Sequence, residues 1–306
     1  MKPEVKIGGM LMKNPVMTAS GTFGYGAEYS EFVDLNHIGA VVVKGISLTP
    51  REGNPPPRIH ETPCGMLNSI GLQNVGLQNF LNEKLPFLRK YDTRVVVNIL
   101  GSSPGEYEAC ASELDGMVDA VELNVSCPNV KEGGMLFSSD RNALMRLVSD
   151  VRKRLSKTTM IVKLTPSSPD IALDAKICEE EGADAVSMIN TIPAMAIDIE
   201  TGRPRLANVI GGLSGPAVKP IGVRMVWETY GKISIPIIGM GGIMTGEDAV
   251  EYLLAGASAV AVGTANFVDP RSTLNVLEGI LDYMNRKGID SIDRLTGGMA
   301  WEHEDL

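Results

Sequence analysis

The chain has 306 residues, 44% of them apolar, enough for a large core and compatible with the ~250 residues of one α/β barrel. Its 28 Lys and Arg against 37 Asp and Glu give a net charge of −9, which argues against a general nucleic-acid or anionic-membrane surface and for a small polar substrate. No run approaches about eighteen unbroken apolar residues and the N-terminus lacks a signal-peptide pattern, so a cytoplasmic protein forming one domain over residues 1–306 is expected.

The cysteines, Cys64, Cys110, Cys127 and Cys178, form no Cys-x-x-Cys pair, and His37, His60 and His303 make no ligand spacing. No metal site is expected, and any redox cofactor held by the chain should be organic.

Pro15 to Ser20 reads as a first strand, ending where Ser20, Gly21 and Thr22 replace apolar residues, with a helix about Ala27–Leu35 after it. Ala40-Val41-Val42-Val43-Lys44-Gly45 is a β-branched second strand. Lys44 follows its apolar run and should face the barrel mouth. A long excursion, Leu48 to Asn74, then reads as an ordered flap containing a hairpin. Asn68 and the backbone amides around Gly71 suit a carboxylate or an imide, or simply a turn.

A helix over Val75–Arg89 precedes strand three, Arg94 to Leu100, whose one polar residue in an apolar run is Asn98. Pro104–Leu114 is helical, with proline in the first turn where its missing N–H does no harm. Ala120 to Val125 suits a fourth buried strand, and Pro128 stops regular pairing, so Cys127 should emerge at the strand's carboxyl end. Asn124, Ser126 and Asn129 surround that thiol with polar groups that a plain core strand has no use for. The Gly133-Gly134 pair in the next loop suits either a lid hinge or an ordinary connection.

Helix four (Arg141–Leu155) leads to strand five, Met160 to Pro166, with Lys163 among apolar residues. Helix five (Asp170–Glu181) leads to strand six, Ala185 to Thr191, again polar at its end. A second excursion, Ile192 to Ser214, contains a hairpin over Ile197–Leu206, and Gly211 to Pro216 is expected to open helix six. Strand seven (Ile235–Ile243), helix seven (Thr245–Ala255), strand eight (Ala259–Thr264) and a last helix (Pro270–Arg286) complete the count. The fold class is α/β, a (β/α)8 TIM barrel with hairpin insertions at its C-terminal face.

In such barrels the ends of strands seven and eight often hold phosphate on backbone N–H groups. Gly241, Gly242, Gly263 and Thr264 fit that role, with Gly215 as a further candidate. Lys44 and Lys163 suit either a Schiff base, as in a lyase, or a positive charge beside a cofactor ring. A thiol beside amides and a phosphorylated cofactor points to proton removal coupled to hydride transfer.

Asn124-Val125-Ser126-Cys127-Pro128-Asn129, Asn68-Ser69-Ile70-Gly71-Leu72, Lys163 and Ile238-Gly239-Met240-Gly241-Gly242 together resemble class 1 dihydroorotate dehydrogenases, over nearly the whole barrel. Gly134 with Met135-Leu136-Phe137, Asn190-Thr191 and Gly211 to Pro216 resemble the NAD-linked 1B branch more than the fumarate-linked 1A branch, which remains the alternative. The resemblance implies an FMN-bearing barrel that oxidises dihydroorotate to orotate in pyrimidine biosynthesis. It also implies a partner subunit carrying FAD and a [2Fe–2S] cluster, around a homodimer of this chain within a heterotetramer. Carried over by position, it makes Cys127 the base at C5 of the substrate, with Ser126 and Lys44 beside it, and Lys163 the lysine that stabilises reduced flavin. Ser20, Lys44, Gly45, Asn98, Asn124, Lys163, Ile189, Gly215, Gly241, Gly242, Gly263 and Thr264 match FMN contacts. Lys44, Asn68, Ser69, Ile70, Gly71, Leu72, Asn124, Asn129, Asn190 and Thr191 match substrate contacts.

Overall fold

A computed structural model describes residues 2–125 and 140–300. Eight parallel strands close into a barrel: β1 (Val16–Thr18), β2 (Ala40–Ile46), β3 (Arg94–Ile99), β4 (Ala120–Asn124), β5 (Thr159–Lys163), β6 (Ala185–Met188), β7 (Ile237–Met240) and β8 (Ala259–Val262). Each pairs with its neighbours in chain order, and β8 closes on β1. Their near-continuous Val, Ile and Ala runs follow from burial on both faces, with helices outside and layers of side chains inside. Val41, Val43, Val95 and Val97, for example, are all fully buried. Strands β2, β4 and β5 include Lys44, Asn124 and Lys163, whereas β1, β6, β7 and β8 stop short of the residues expected at their ends. Ser20, Asn190, Thr191, Gly241 and Gly263 therefore lie just beyond the last paired residues, at the mouth.

The outer layer begins with α1 (Leu77–Asn79) and α2 (Leu85–Leu88), joined by a π turn over Phe80–Lys84. The turn widens just before Pro86, which cannot donate into the ordinary ladder. Then come α3 (Pro104–Leu114), α4 (Arg141–Arg152), α5 (Ile171–Glu180), α6 (Lys219–Tyr230), α7 (Gly246–Ala255), α8 (Ala265–Val268) and α9 (Ser272–Lys287). Asp140 and Asp170 cap α4 and α5 by accepting from first-turn amides, and Thr245 with Asp248 forms a capping box on α7. In α4, Leu144, Leu147, Val148 and Val151 recur at helical spacing and are buried.

Two expectations fail. Residues 27–35 form no α-helix; they run as successive i to i+3 turns and end in a 3-10 turn at Leu35–His37. Gly24 and Gly26 hold positive φ there, and Tyr29 stacks on buried Phe23, so side-chain packing sets the path in place of a helical ladder. Gly211 to Pro216 does not open helix six either. Gly211–Ser214 is a strand, and a 3-10 turn at Pro216–Val218 precedes α6.

That strand belongs to a second sheet over the barrel mouth, ordered Ile192–Ala194, Gly211–Ser214, Gly65–Asn68, Ile59–Thr62, and antiparallel throughout. The hairpins of the two excursions thus become one sheet, with Gly212 opposite Asn68. The expected hairpin after Ile192 is present as short strands Ile197–Asp198 and Arg203–Pro204. At the other end of the barrel, a hairpin of Val5–Ile7 and Met10–Met12 turns at Gly8, which packs against Thr159 and Asp184. Among the described residues no helix is long and apolar enough to cross a membrane.

Candidate active site

The mouth is built from strand ends. Ser20 Oγ donates to the Val43 carbonyl at 2.9 Å, tying the end of β1 to β2. The β2–β3 register shifts between Val43 and Ile46, which places Lys44 and Gly45 at an irregularity. Asn98, on β3, lies against that irregularity: a Cβ on Gly45 would stand 2.8 Å from Asn98 Oδ1. Burial pushes the Lys44 ammonium below its ordinary pKa, and the charges of Arg58 and Lys163 push it the same way. Lys163 ends β5, opposite Asn124 on β4 and Ser187 on β6, and is itself buried.

Asn124 is held twice. Its carbonyl accepts from Tyr107 Oη at 2.8 Å, and its side-chain oxygen accepts from Asn190 Nδ2 at 3.4 Å. Asn190 Oδ1 in turn accepts from the Thr191 amide at 2.8 Å. Ile189 is buried and its amide donates to the Met240 carbonyl, linking β6 to β7. Asn68 Nδ2 donates to the Gly212 carbonyl at 3.3 Å, so the flap is anchored to the second excursion beside Thr191. After it, Gly71 and Leu72 both take positive φ, and Asn54 and Asn74 side chains hold the carbonyls of Ser69 and Leu72. Leu72, with φ of 60°, is a non-glycine residue in a strained region, a feature that clusters at ligand sites. The Ser69 hydroxyl is buried and has no partner among the described residues.

The opposite side of the mouth is lined by backbone. Gly215 and Gly242 take φ of +98° and +68°; a Cβ on Gly215 would stand 2.6 Å from Gly65 Cα, and one on Gly242 would stand 2.7 Å from the Gly215 carbonyl oxygen. Gly241 takes φ of +120°, Gly263 follows β8, and Thr264 Oγ1 donates to Ser214 Oγ at 2.8 Å. Side chains are thereby excluded at Gly215 and Gly242, which leaves backbone exposed to a ligand there and fits a phosphate. The desolvated lysines fit the anionic or polar end of a planar ligand. The residue set therefore fits a phosphorylated flavin.

Ser126, Cys127 and Asn129, with the 130–137 loop and its Gly133-Gly134 pair, lie outside the described residues. Two surface depressions, one lined by Glu4, Lys13 and Asp92 and one between α5 and α6, contain none of the expected site residues. Among the described residues no group of three or more His, Cys, Asp and Glu side chains is arranged to hold a metal.

Several contributors went unread in the sequence. Glu122 and Ser187 are buried polar residues on β4 and β6 and carried the same signal as Asn98, a polar side chain inside an apolar strand. Tyr252, on α7, donates to the Gly241 carbonyl at 2.8 Å and so supports the glycine cradle from behind. Nothing local marks Tyr252 or Arg58.

The dihydroorotate dehydrogenase family model matches residues 3–284. The catalytic subunit of dihydroorotate dehydrogenase B (NAD+) from Thermoanaerobacter pseudethanolicus is 54% identical over 300 residues, covering 98% of this chain and 99% of that protein. The subunit of the same name from Thermodesulfovibrio yellowstonii is 53% identical over 296 residues, covering 96% and 97%. The crystal structure of an Eimeria tenella DHODH in complex with ferulenol superposes with a TM-score of 0.80 at 24% identity, covering 97% of this chain and 88% of that one, a likeness of fold. With an eight-stranded barrel, a cationic and carboxamide-lined mouth and these relatives, the chain belongs to the dihydroorotate dehydrogenase family.

Proposed function

We infer that this chain oxidises dihydroorotate to orotate in pyrimidine biosynthesis, as the catalytic subunit of an NAD-linked enzyme. The carrying observation is the pairing of Lys44 and Lys163 in a mouth walled by Asn68, Asn124 and Asn190. Desolvated cations call for an anion, and carboxamides present both donors and acceptors to a carboxylate and a cyclic imide. Membership of this family favours the dehydrogenase over the Schiff-base lyase that the two lysines alone left open.

In this reading residues 1–306 form one domain that binds FMN. Gly215, Gly241, Gly242, Gly263 and Thr264 would hold its phosphate, and Ser20, Lys44, Gly45, Asn98, Asn124, Lys163 and Ile189 would hold its ring. When bound, FMN supplies the acceptor for the hydride that leaves C6 of dihydroorotate. Cys127 takes the proton from C5, with Ser126 next to it, so the substrate loses one hydride and one proton. Asn68, Asn124, Asn129, Asn190 and Thr191, with the Ser69–Leu72 turn, hold the substrate against the base. Lys44 offsets negative charge on the substrate, and Lys163 does so for the cofactor ring.

The relatives' name, catalytic subunit, supports a separate partner. We assign to it the FAD and [2Fe–2S] cluster that carry electrons to NAD, with a homodimer of this chain at the centre of a cytoplasmic heterotetramer. The test is anaerobic: purify the chain, record its visible spectrum and add dihydroorotate. Bleaching of a flavin band is expected; a yellow protein that fails to bleach overturns the substrate, and a colourless one overturns the cofactor. Assay with the partner present, NAD against fumarate, then separates the acceptors.

A further inference from the structure

The barrel interior beneath the mouth contains a carboxylate that the proposed chemistry does not use. Glu122, on β4, is 2% exposed and lies between two polar neighbours on other strands. Its Oε2 accepts from Asn98 Nδ2 at 2.6 Å, and its Oε1 accepts from Ser187 Oγ at 2.7 Å. Asn98 and Ser187 are buried as completely. The three residues join β3, β4 and β6 across the barrel, and β5 between them ends in Lys163, which stands opposite Ser187. Three polar side chains in a core that apolar residues could fill are costly to bury, and their mutual hydrogen bonding offsets that cost without explaining their presence.

The geometry of Asn98 supplies the explanation. A carboxamide has a donor end and an acceptor end, and it exchanges them by turning half a revolution. Glu122 offers Asn98 an acceptor, so the NH2 group is held toward β4 and the carbonyl oxygen faces Gly45, at the register shift that carries Lys44. Turning Asn98 over would set its carbonyl oxygen against the Glu122 carboxylate oxygen, two acceptors with no donor between them. Ser187 holds the second carboxylate oxygen, which fixes the plane of the carboxylate, and either of its oxygens could only accept.

We propose that Glu122 is a positioning residue of the flavin site, fixing the Asn98 amide with its oxygen toward the Lys44–Gly45 floor through the Glu122–Asn98 and Glu122–Ser187 hydrogen bonds. The proposal rests on the flavin reading above. It implies that affinity for FMN depends on an acceptor at position 122 and much less on its charge.

The experiment uses the full chain stripped of cofactor, titrated with FMN and followed by quenching of flavin fluorescence, with melting temperature measured separately. Glu122→Leu leaves Asn98 free to turn and should weaken FMN binding roughly tenfold, the equivalent of one hydrogen bond to a charged group. Glu122→Gln should stay within about threefold of the wild type, because its Oε1 accepts from Asn98 while its Nε2 donates to Ser187 Oγ. Asn98→Ala should match Glu122→Leu, and the double variant should lose no more than either alone, since both changes remove one interaction. Wild-type affinity in a Glu122→Leu protein of lowered melting temperature would show a purely structural residue and overturn the proposal. Should Glu122→Leu fail to fold, Glu122→Gln combined with Ser187→Ala decides: the glutamine is then free to turn, and affinity should fall severalfold below that of Glu122→Gln, whereas equal affinity overturns the proposal. A wild-type chain that binds no FMN would overturn the flavin reading itself, an outcome distinct from normal binding that the variants leave unchanged.

Discussion

Asn190 Nδ2 donates to Asn124 Oδ1 at 3.4 Å, joining the end of β4 to the turn after β6 over the end of β5. Because the Asn124 carbonyl is also held by Tyr107 and Asn190 Oδ1 by the Thr191 amide, both carboxamides reach the mouth already oriented. Such preorganisation spares a ligand the entropy of ordering them.

Removing the Asn190 carboxamide should therefore act mainly on the substrate. Asn190→Ala is expected to raise KM for dihydroorotate about tenfold, the loss of roughly one hydrogen bond, with melting temperature nearly unchanged. Initial-rate kinetics check this, and an unaltered KM would remove Asn190 from the substrate site.

Lys44 should set a pH limit on anion binding. Burial and the charges of Arg58 and Lys163 hold its pKa below 10.5, so the ammonium is lost earlier on raising the pH than from an ordinary lysine. Orotate affinity should fall as pH rises through that lowered value, and Lys44→Gln should abolish the fall. The stability term has the opposite sign. The unfolded chain binds the extra proton, so the Lys44 contribution to stability rises with pH between the lowered pKa and 10.5, and Lys44→Met should stabilise the ligand-free protein at neutral pH. Orotate titrations and thermal melts across pH test both.

Cys127→Ala should leave the flavin bound and cut turnover about 10²- to 10⁴-fold, the usual contribution of a positioned base. Stopped-flow reduction by dihydroorotate is the measurement; a rapid reductive half-reaction in the alanine variant would assign the base elsewhere.

Tyr252→Phe should loosen the glycine cradle. The phenol donates to the Gly241 carbonyl, and burial, followed by the charges of Asp248 and Glu251, pushes its pKa far up, so it remains a donor at any working pH. Its loss should cost about 1 kcal/mol of stability and weaken FMN severalfold, with KM for dihydroorotate unaffected. Melting curves and FMN titration separate the two effects.

The barrel was legible because its signal is local. Apolar β-branched runs such as Val41 to Val43 and Val95 to Val97 mark strands buried on both faces, and the polar residues closing those runs mark the mouth. Lys44, Asn98, Asn124 and Lys163 were found in this way, each on its strand by apolar context alone. The segment after β1 misled because its glycines and the Phe23–Tyr29 stack, not helical periodicity, direct the backbone.

By itself the sequence determined the alternation of strands and helices and the residue types at each strand end, because burial pattern and turn chemistry act over a few neighbouring residues; the family came from motifs that resemble known members. Tertiary structure alone decided that Asn68 meets Gly212, 144 positions away, and that Ser187 meets Glu122, 65 positions away. The first contact arises in the sheet over the mouth and the second across β5 inside the barrel. Hydrogen-bond geometry, and with it the direction in which a buried carboxamide points, depends on partners that no local pattern names.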